Sequence, residues 1–551
     1  MCALNATNQL LDLPVLIIDC QTTGANPRHS YLLELGWMLA TAASAGSIET
    51  SLIALPEGEE LPGRIQKITG ITAEEMLSAQ SAKSVIARLK AEGLPPTAVA
   101  HYARFEQSFL DDFFKTNSRY KTLPFSFICT CEIAKRLYPD LPSRAIRALV
   151  GYFGLTIGEM KRASCHVEAT YHIWQKLVGD LSAIGVNTSA ELESWLAAPR
   201  PKKVTRAYEL PMERLKRLEL PAKPGVYHML SSSGQILYVG KATSLRDRVN
   251  SYFRGRKGKD SKTKELISQI FDIRIEVLET PLEAALRETD LIKQHDPPYN
   301  RALREKGRHL TFFSRDFSSW QLSQSVENYL GPFPSDSLKP LLQLAACLKE
   351  GTFDESLFWG LVEEQMGREA LAAFLEAVEL KGQDITVRRL LALGMVLLRQ
   401  EIKARAEAER LAAALLNEGE GDRSEAAEVQ DESEADTDED EDEEEHEEEH
   451  EMTVEEAVQM LCGIVIRSAR LLRQARELTA LLNSEITFVE QGKERTLLFE
   501  NGRQVAVFAS AARSLSWSGL EIDTYDRMRV LSTEMTRLAR SAKVIVGMRI
   551  A

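Results

Sequence analysis

An acidic run divides this chain and limits what its last third can fold into. Residues 418–456 carry 23 Asp or Glu side chains against one basic residue, Arg423, a net charge of −22. Such a run has too few apolar side chains to bury a core, so we predict a disordered acidic insertion at residues 418–452. One interpretation is a solubilising loop. A sharper one is a mimic of nucleic-acid phosphate that lies over a basic cleft elsewhere in the chain and keeps other polyanions out of it.

Outside this run the chain is mildly basic. The 551 residues carry 67 Lys or Arg and 81 Asp or Glu, a net charge of −14. Outside the acidic run 66 basic and 58 acidic side chains remain, a net charge of +8. The acidic pI therefore does not exclude nucleic acid as a partner.

Length and composition predict a soluble, multidomain, cytoplasmic protein. A prior of about 100 to 200 residues per domain gives three or more domains. No apolar run approaches the roughly 18 to 20 residues of a membrane helix, so we expect no membrane contact. No Lys or Arg precedes an apolar stretch at the N-terminus, which argues against a secretory signal. The seven scattered cysteines are typical of a reducing compartment, and the Cys129/Cys131 pair alone is poor zinc spacing.

The apolar patterns predict a multidomain α/β fold followed by a mostly helical region with a small β element. In the helical part, Thr453 and Glu456 form a capping-box pattern. The predicted segments are an α/β domain at 13–180, a basic linker at 181–220, a smaller α/β domain at 221–308, a helical region at 309–417, the acidic insertion at 418–452 and a helical region with a small sheet at 453–551.

The second α/β domain carries the sharpest motif. Gly225-Val226-Tyr227 ends eleven residues before Tyr238, which opens Tyr238-Val239-Gly240, and both triplets lie in strand-like stretches. Basic residues follow on a predicted helix, and a later helix carries one acid and ends before a Pro-Pro break. The candidate catalytic residues are Tyr227, Tyr238, Lys241, Arg248, Glu288 and Asn300.

These residue types suit phosphodiester cleavage. Glu288 is the candidate ligand of a single Mg²⁺ or Mn²⁺, because such an ion keeps most of its waters and meets the phosphate directly. Lys241 and Arg248 supply fixed positive charge for the phosphate oxygens. Beside a metal and two cations a phenolate becomes reachable, so either Tyr238 or Tyr227 is a candidate base for the attacking water.

The stretches PGVYHMLSSSGQILYVGKATSLRDRVNSYF and LIKQHDPPYN resemble the GIY-YIG nucleases, most closely the N-terminal nuclease of UvrC-type excinucleases and their shorter relative Cho. The resemblance covers residues 221–308 and supports the roles above. It also implies that Asn300 orients the site. The second, RNase H-like nuclease of UvrC proteins, their helix-hairpin-helix module and a UvrB-binding segment have no counterpart in the sequence. A single-incision, Cho-like enzyme therefore fits better than a dual-incision one.

A basic stretch beside this motif predicts a DNA contact. Residues 246–264 hold eight basic and two acidic side chains, with two aromatic residues among them. Such a charge favours the DNA backbone and steep salt dependence, whereas the alternative is a solvated loop. The candidate DNA-binding residues are Arg246, Tyr252, Arg254, Arg256, Lys257 and Lys259.

The first domain has a different motif set. IIDCQTTG, LLELGW, ITGITAEEM and VAHYARFEQSFL resemble the DnaQ-like (DEDDh) 3′–5′ exonucleases, which implies an RNase H-like fold. That family binds two metal ions with four carboxylates and uses a His to activate water. Asp19 matches the first acid, Gln21 replaces the second, and Glu106 replaces an Asp. In KRASCHVEAT, Lys161 stands at the place of the His and His166 at the place of the last Asp.

These departures predict a degenerate exonuclease site. Two divalent cations a few Å apart repel strongly, and two missing carboxylates leave that repulsion uncompensated. A shifted alignment lets Glu168 stand for the last acid, but then no His is suitably placed. We therefore expect this domain to be structural, or to hold DNA or a partner.

Together these features predict a metal-dependent DNA endonuclease of nucleotide excision repair type that nicks one strand near damage. Its expected partners are damaged or distorted duplex DNA and a UvrB-like damage-loading protein. Two alternatives remain open. One is a dual nuclease with a working 3′–5′ exonuclease, and the other is a non-catalytic DNA-binding scaffold.

Overall fold

A computed structural model gives the fold of the described residues. These are residues 9–120, 122–199, 210–254, 260–300, 308–358, 362–418, 452–490, 493–506, 516–541 and 544–548. They form two compact units, Met1–Arg301 and Ala302–Ala551. We call residues 9–199 the N-terminal domain and residues 210–300 the central domain, and both belong to the first unit.

The N-terminal domain is built on a five-stranded sheet of order β3-β2-β1-β4-β5. Its elements are β1 (Val15–Thr22), β2 (Leu32–Ala40), β3 (Glu49–Leu52), α1 (Gly63–Thr69), α2 (Ala73–Met76), α3 (Ala82–Ala91), β4 (Thr97–Ala100), α4 (Ala103–Asn117), β5 (Ser126–Cys129), α5 (Thr130–Leu137), α6 (Ile146–Tyr152), α7 (Ala163–Ala183) and α8 (Ser189–Ala197). Strands β1, β2 and β3 are antiparallel, whereas β4 and β5 run parallel to β1.

The apolar run at the start of β1 is explained by burial on both faces of the sheet. Val15 and Ile17 pack into the cluster that holds Trp174 of α7, and Leu16 and Ile18 pack into the opposite cluster. Successive side chains of a strand point to opposite faces, so a strand with helices on both sides is apolar throughout. The α/β signature predicted for this domain is confirmed.

The central domain has a three-stranded antiparallel sheet of order β7-β6-β8. Its elements are α9 (Arg214–Leu218), β6 (Gly225–Leu230), β7 (Ile236–Ala242), α10 (Leu245–Ser251), α11 (Ser261–Ile267), β8 (Asp272–Val277) and α12 (Pro281–His295). The two predicted strands are confirmed as β6 and β7. The sequence did not predict β8, which completes the sheet on the far side of β6.

The linker predicted at residues 181–220 was also wrong in part. Helix α7 runs to Ala183, and α8 and α9 both lie within that range. Thr188 caps α8 through a capping box with Glu191, which is a local signal that the proline-rich composition of the stretch obscures. Residues 200–209 are outside the described part of the chain.

The second unit combines two sheets with long helices. Its elements are β9 (Leu310–Ser314), β10 (Trp320–Gln321), β11 (Asn328–Pro334), α13 (Lys339–Glu350), a 3-10 turn (Glu355–Phe358), α14 (Glu364–Ala377), α15 (Val387–Glu418), α16 (Val454–Leu481), β12 (Ser484–Glu490), β13 (Lys493–Glu500), β14 (Arg503–Val505), α17 (Ile522–Ser541) and β15 (Val544–Met548). The sheet orders are β10-β9-β11 and β14-β13-β12-β15.

The sequence predictions for this unit are confirmed in part. Thr453 caps α16 in a capping box with Glu456, and the small sheet predicted within residues 453–551 is present together with helix α17. The helical region predicted from residue 309 was wrong at its start, since three strands precede α13. Residues 419–451, most of the predicted acidic insertion, lie outside the described residues. Among the described helices none is both long and apolar enough to cross a membrane.

Candidate active site

The hairpin of β6 and β7 brings the two tyrosine motifs of the central domain together. Its register places Tyr227 opposite Gly240. A Cβ atom on Gly240 would lie 2.4 Å from the Tyr227 hydroxyl and 2.8 Å from the Tyr238 ring. The glycine therefore leaves the space in which both tyrosine rings sit.

Tyr252 joins these two tyrosines from the end of α10. The three ring centroids are 6.1 Å apart for Tyr227–Tyr238, 6.2 Å for Tyr227–Tyr252 and 6.3 Å for Tyr238–Tyr252. The Tyr227 and Tyr252 hydroxyls are hydrogen-bonded at 3.0 Å. We call Tyr227, Tyr238 and Tyr252 the tyrosine cluster. The sequence grouped Tyr252 with the DNA-binding residues, although its spacing of four from Arg248 already places both on one helical face.

Arg248 is the cation of this cluster. Its guanidinium carbon lies 5.3 Å from the centre of the Tyr252 ring, and its Nη2 donates to the Tyr252 hydroxyl at 3.5 Å. Burial, followed by the neighbouring phenols, raises the pKa of Tyr227 and Tyr238 above the usual value, and the charge of Arg248 partly opposes this. Tyr227 is fully buried, whereas Tyr238 is half-buried and reaches solvent.

Glu288 faces the end of β7 from helix α12. This helix begins with a capping box between Thr280 and Glu283 and has Pro281 in its first turn, so its start is strongly fixed. The backbone amide of Lys241 donates to Glu288 Oε1 at 2.9 Å. That bond orients the carboxylate at the edge of the strand that carries Tyr238.

Asn300 completes the site at the outer edge of β7. Its Oδ1 accepts from the Val239 amide at 2.9 Å, and its Nδ2 donates to the Val239 carbonyl at 2.8 Å. The buried side chain thus acts like a short neighbouring strand. All six predicted catalytic residues lie around the tyrosine cluster, β7 and the start of the segment beyond α12.

The donor set fits one hard divalent cation. Mg²⁺ held through a single carboxylate keeps most of its waters, so a site with Glu288 as its protein ligand needs no second acid. In the described part of the chain no three His, Cys, Asp or Glu side chains are placed to share a metal ion. A site in which one carboxylate binds the ion does not need such a cluster.

The predicted DNA-binding residues are described only in part. Arg246 and Arg254 are exposed on and beyond α10, and Arg246 Nε also donates to the Leu220 carbonyl at 2.7 Å. Arg256, Lys257 and Lys259 lie outside the described residues. The sequence missed Arg217 of α9, whose Nη1 donates to Asn250 Oδ1 at 2.6 Å and whose guanidinium lies 5.0 Å from the Phe253 ring centre.

Arg217 belongs to a patch of like charge. Burial lowers the pKa of Arg217, and repulsion from Arg214 and Arg254 lowers it further. A polyanion such as DNA that binds across these arginines would relieve the repulsion between their charges. The patch therefore extends the candidate DNA contact from α10 to α9.

A second cluster lies in the N-terminal domain at the end of β1. Gln21 Nε2 donates to Asp19 Oδ2 at 3.0 Å, and His166 Nδ1 lies 3.2 Å from Asp19 Oδ1. Gln21 Nε2 and His166 Nδ1 are 3.4 Å apart. Residues far apart in sequence thus meet as the motif alignment predicts, but both carboxylate oxygens of Asp19 already have protein partners.

Glu106 and His166 set the charge of this cluster. Burial and the nearby Asp19 raise the pKa of Glu106, whose buried Oε2 has no hydrogen-bond partner among the described residues. Burial alone would lower the pKa of His166, but the hydrogen bond and charge of Asp19 outweigh it and raise that pKa. A protonated His166 puts a positive charge where the exonuclease family binds a cation.

Lys161 and Arg162 serve other partners. Lys161 pairs with Glu159 at 2.8 Å near the surface, so its charge is engaged outside the Asp19 cluster. Arg162 Nη2 donates to buried Glu34 at 2.8 Å, and its Nη1 donates to Glu75 at 2.9 Å. Glu34 also accepts from the first amide of α7, which fixes the start of the helix that carries His166.

These residues do not fit two divalent cations. Two carboxylates, an amide and an imidazole offer half the negative charge that the four-carboxylate pattern supplies. The Gln21 amide donates to Asp19 Oδ2 and so occupies a lone pair that a metal ligand would need. Glu168, the alternative last acid, lies half-buried on α7.

Comparison with known proteins agrees with both motif assignments. Residues 223–301 match the family described as UvrC-like GIY-YIG domain, and residues 16–166 match the family described as Exonuclease. A protein of Mycobacterium tuberculosis (strain CDC 1551 / Oshkosh), named as a bifunctional exonuclease/endonuclease, is 30% identical over 309 residues, 53% of this chain and 45% of that protein.

Two further relatives match a smaller share of the chain. The UvrABC system protein C of Psychrobacter sp. (strain PRwf-1) is 44% identical over 132 residues, 22% of this chain and 21% of that protein. The magnesium-bound GIY-YIG N-terminal endonuclease domain of UvrC from Thermotoga maritima is 32% identical, covers 16% of this chain and 93% of that domain, and gives a TM-score of 0.15. The chain therefore spans less than half the length of the curated relatives described here.

Proposed function

We propose that this chain, which contains a UvrC-like GIY-YIG domain and an exonuclease-family domain, is a metal-dependent DNA endonuclease that nicks one strand near damage. The observation that carries the proposal is the convergence of the tyrosine cluster, Arg248, Lys241 and Glu288 at one edge of the central sheet. A base, two cations and a metal-binding carboxylate are the groups that phosphodiester hydrolysis requires.

Glu288 would hold one Mg²⁺ or Mn²⁺, which supplies positive charge to the phosphate and lowers the pKa of bound water. Tyr238 is the better placed base, because it is half-buried while Tyr227 is sealed in the core. Its phenolate accepts a proton from water as the water oxygen attacks phosphorus. The bond to the 3′ oxygen breaks, and that oxygen takes up a proton from solvent water, leaving a 3′-hydroxyl and a 5′-phosphate.

The remaining residues orient the catalytic strand and neutralise the charge of the phosphate. Arg248 lies beside the phenols and stabilises both a phenolate and the charge of the pentavalent phosphate. Lys241 adds its ammonium from the same strand as Tyr238. Asn300 holds that strand through two hydrogen bonds to Val239, so the base and the cation keep a fixed spacing.

The arginine patch of α9 and α10 supports backbone binding of duplex DNA. Phosphate contacts of this kind position the substrate but carry no sequence information. Recognition of damage then falls to the distortion of the duplex or to a loading protein. By likeness to UvrC, a UvrB-like partner is the candidate, with a single incision as in Cho.

The exonuclease-family domain is proposed as a non-catalytic platform. The occupied oxygens of Asp19 support this view, and so does the raised pKa of His166, which favours the charged form of its ring. The second candidate is a dual nuclease, which the name of the Mycobacterium tuberculosis relative favours. The third, a scaffold without catalysis, would bind DNA without cutting it.

The test is strand cleavage of an end-labelled duplex with one bulky adduct, in Mg²⁺ or Mn²⁺. We expect a discrete nick near the adduct, and we expect Glu288→Gln to reduce its rate about a hundredfold or more, because the neutral amide loses the ion. Asp19→Asn is the matched control, since it removes a carboxylate from the other cluster.

The outcomes separate the three candidates. A nick that depends on Glu288 and not on Asp19 supports the endonuclease. A ladder that shortens from the 3′ end and disappears with Asp19→Asn establishes the dual nuclease. DNA binding with no cleavage in either metal, and with the same affinity in Glu288→Gln, leaves the scaffold.

A further inference from the structure

The two domains of the first unit meet where α6 packs against α11. The Ser143 amide of the N-terminal domain donates to the Ser268 hydroxyl of the central domain at 3.0 Å. Ser268 is fully buried and Gln269 is 6% exposed, so this face of the central domain is closed to water. Buried polar groups need partners, and here the partners come from both domains.

Gly151 allows a close approach between the two domains. A Cβ atom at this position would lie 2.2 Å from Gln269 Cγ and 2.3 Å from Gln269 Oε1. Gln269 is enclosed, so it cannot move away from such an atom without giving up its present contacts. The glycine of α6 therefore fixes the conformation of a glutamine in the other domain.

Gln269 passes this constraint to Tyr299. Its Nε2 donates to the Tyr299 hydroxyl at 2.5 Å, and that hydroxyl donates to Glu265 Oε1 at 2.5 Å. The Tyr299 amide in turn donates to the Leu237 carbonyl of β7 at 3.0 Å. The next residue is Asn300, which holds Val239 of the same strand edge.

We infer that Gln269 and Tyr299 are positioning residues through which the exonuclease-like domain holds the catalytic strand β7 in place. The contact at Gly151 fixes Gln269, Gln269 fixes Tyr299, and the Tyr299–Asn300 segment fixes the strand edge between Leu237 and Val239. Tyr238 lies between these two residues, and Lys241 follows on the same strand. This role gives the N-terminal domain a part in nicking without chemistry of its own, and it rests on the proposed endonuclease activity.

The test adds one methyl group at the domain contact. Gly151→Ala forces Gln269 to move, while the matched control Gly179→Ala adds the same methyl to the exposed face of α7, where nothing lies within 4 Å. Amide hydrogen exchange at Val239 and Lys241 is measured on the full chain without metal. Single-turnover nicking and the Kd for the same duplex are measured in Mg²⁺.

We expect Gly151→Ala to speed amide exchange in β7 and to lower the single-turnover rate about tenfold, with Kd unchanged, because it shifts the base and not the DNA contact. Tyr299→Phe, which deletes only the hydroxyl, should act in the same direction. In a Gln269→Ala background the space is free, so Gly151→Ala should add no further effect.

Equal exchange and equal rates in Gly151→Ala and Gly179→Ala would overturn the inference. So would a loss confined to Kd, which would assign the contact to DNA binding. If the wild-type chain nicks no substrate, the proposed function fails, and the exchange comparison alone then decides whether the N-terminal domain holds β7.

Discussion

At the scale of single residues, Gly240 is a position where the catalytic site tolerates little change. Gly240→Ala would place a Cβ 2.4 Å from the Tyr227 hydroxyl and 2.8 Å from the Tyr238 ring. We expect a loss of about 1–3 kcal/mol in unfolding free energy, since an overpacked core shifts its side chains. Nicking should fall further than stability explains, because both tyrosines move. Thermal unfolding and single-turnover rates measure the two effects.

The control for this substitution is Gly63→Ala, at the start of α1, where an added Cβ meets nothing within 4 Å. Gly63→Ala should change neither the free energy of unfolding nor the nicking rate. A Gly240→Ala chain with wild-type stability and rate would show that the tyrosine cluster is not packed as described.

Glu106 is a residue whose charge opposes folding at neutral pH. Burial and Asp19 raise its pKa, so its stabilising contribution is present below the unfolded value near 4.5 and is lost as pH rises through the folded value. Glu106→Gln is neutral at every pH and should escape that loss. Each unit of pKa elevation corresponds to about 1.4 kcal/mol, so the variant should melt higher than wild type at pH 8.

Melting curves in chelator at pH 4 and pH 8 test this prediction. The gain in melting temperature of Glu106→Gln over wild type should appear at pH 8 and vanish at pH 4. The control Glu193→Gln, at an exposed position, should show no such difference. A Glu106→Gln variant that melts lower than wild type at pH 8 would mean that the Glu106 carboxylate is stabilised by a partner, and the case against bound metals would weaken.

At the scale of elements, β7 is an edge strand whose outer side is closed by a side chain. Asn300→Asp keeps the oxygen that accepts from the Val239 amide but removes the donor to the Val239 carbonyl. We expect about 1–2 kcal/mol of destabilisation, the usual cost of an unpaired buried acceptor. Amide exchange should therefore quicken at Lys241 more than in β8, across the sheet. An equal acceleration of amide exchange in all three strands would contradict a local role for Asn300.

The sequence predicted all six candidate catalytic residues, and three of them lie on one short stretch of chain. Tyr227, Tyr238 and Lys241 sit on one hairpin, so strand periodicity and motif spacing sufficed. Strand β8 was missed, although Ile273 and Ile275 alternate with charged residues, because a six-residue strand between helices gives a weak signal. The triplet Glu34, Glu75 and Arg162 could not be foreseen, since nothing local links residues so far apart in sequence.

At the scale of the whole molecule, contacts between domains are as hard to predict from the sequence as contacts between residues that lie far apart in it. Motifs identify each domain separately, but the Gly151–Gln269 contact depends on three-dimensional packing that no periodicity encodes. The degenerate Asp19 cluster shows the converse. Its altered residue types were visible in the sequence, but only the structure shows that Gln21 and His166 occupy both oxygens of Asp19.

The first unit should therefore contain all that nicking requires. A fragment of residues 1–301 keeps the tyrosine cluster, Glu288 and the α6–α11 contact, so we expect its nicking rate to lie within about threefold of the full chain. A fragment of residues 210–301 lacks α6, and we expect it to nick about tenfold more slowly, the same loss that we expect for Gly151→Ala. Single-turnover assays on the adduct duplex compare the three proteins, with Glu288→Gln in each as the blank. Equal rates for the two fragments would show that the N-terminal domain contributes nothing to the geometry of β7.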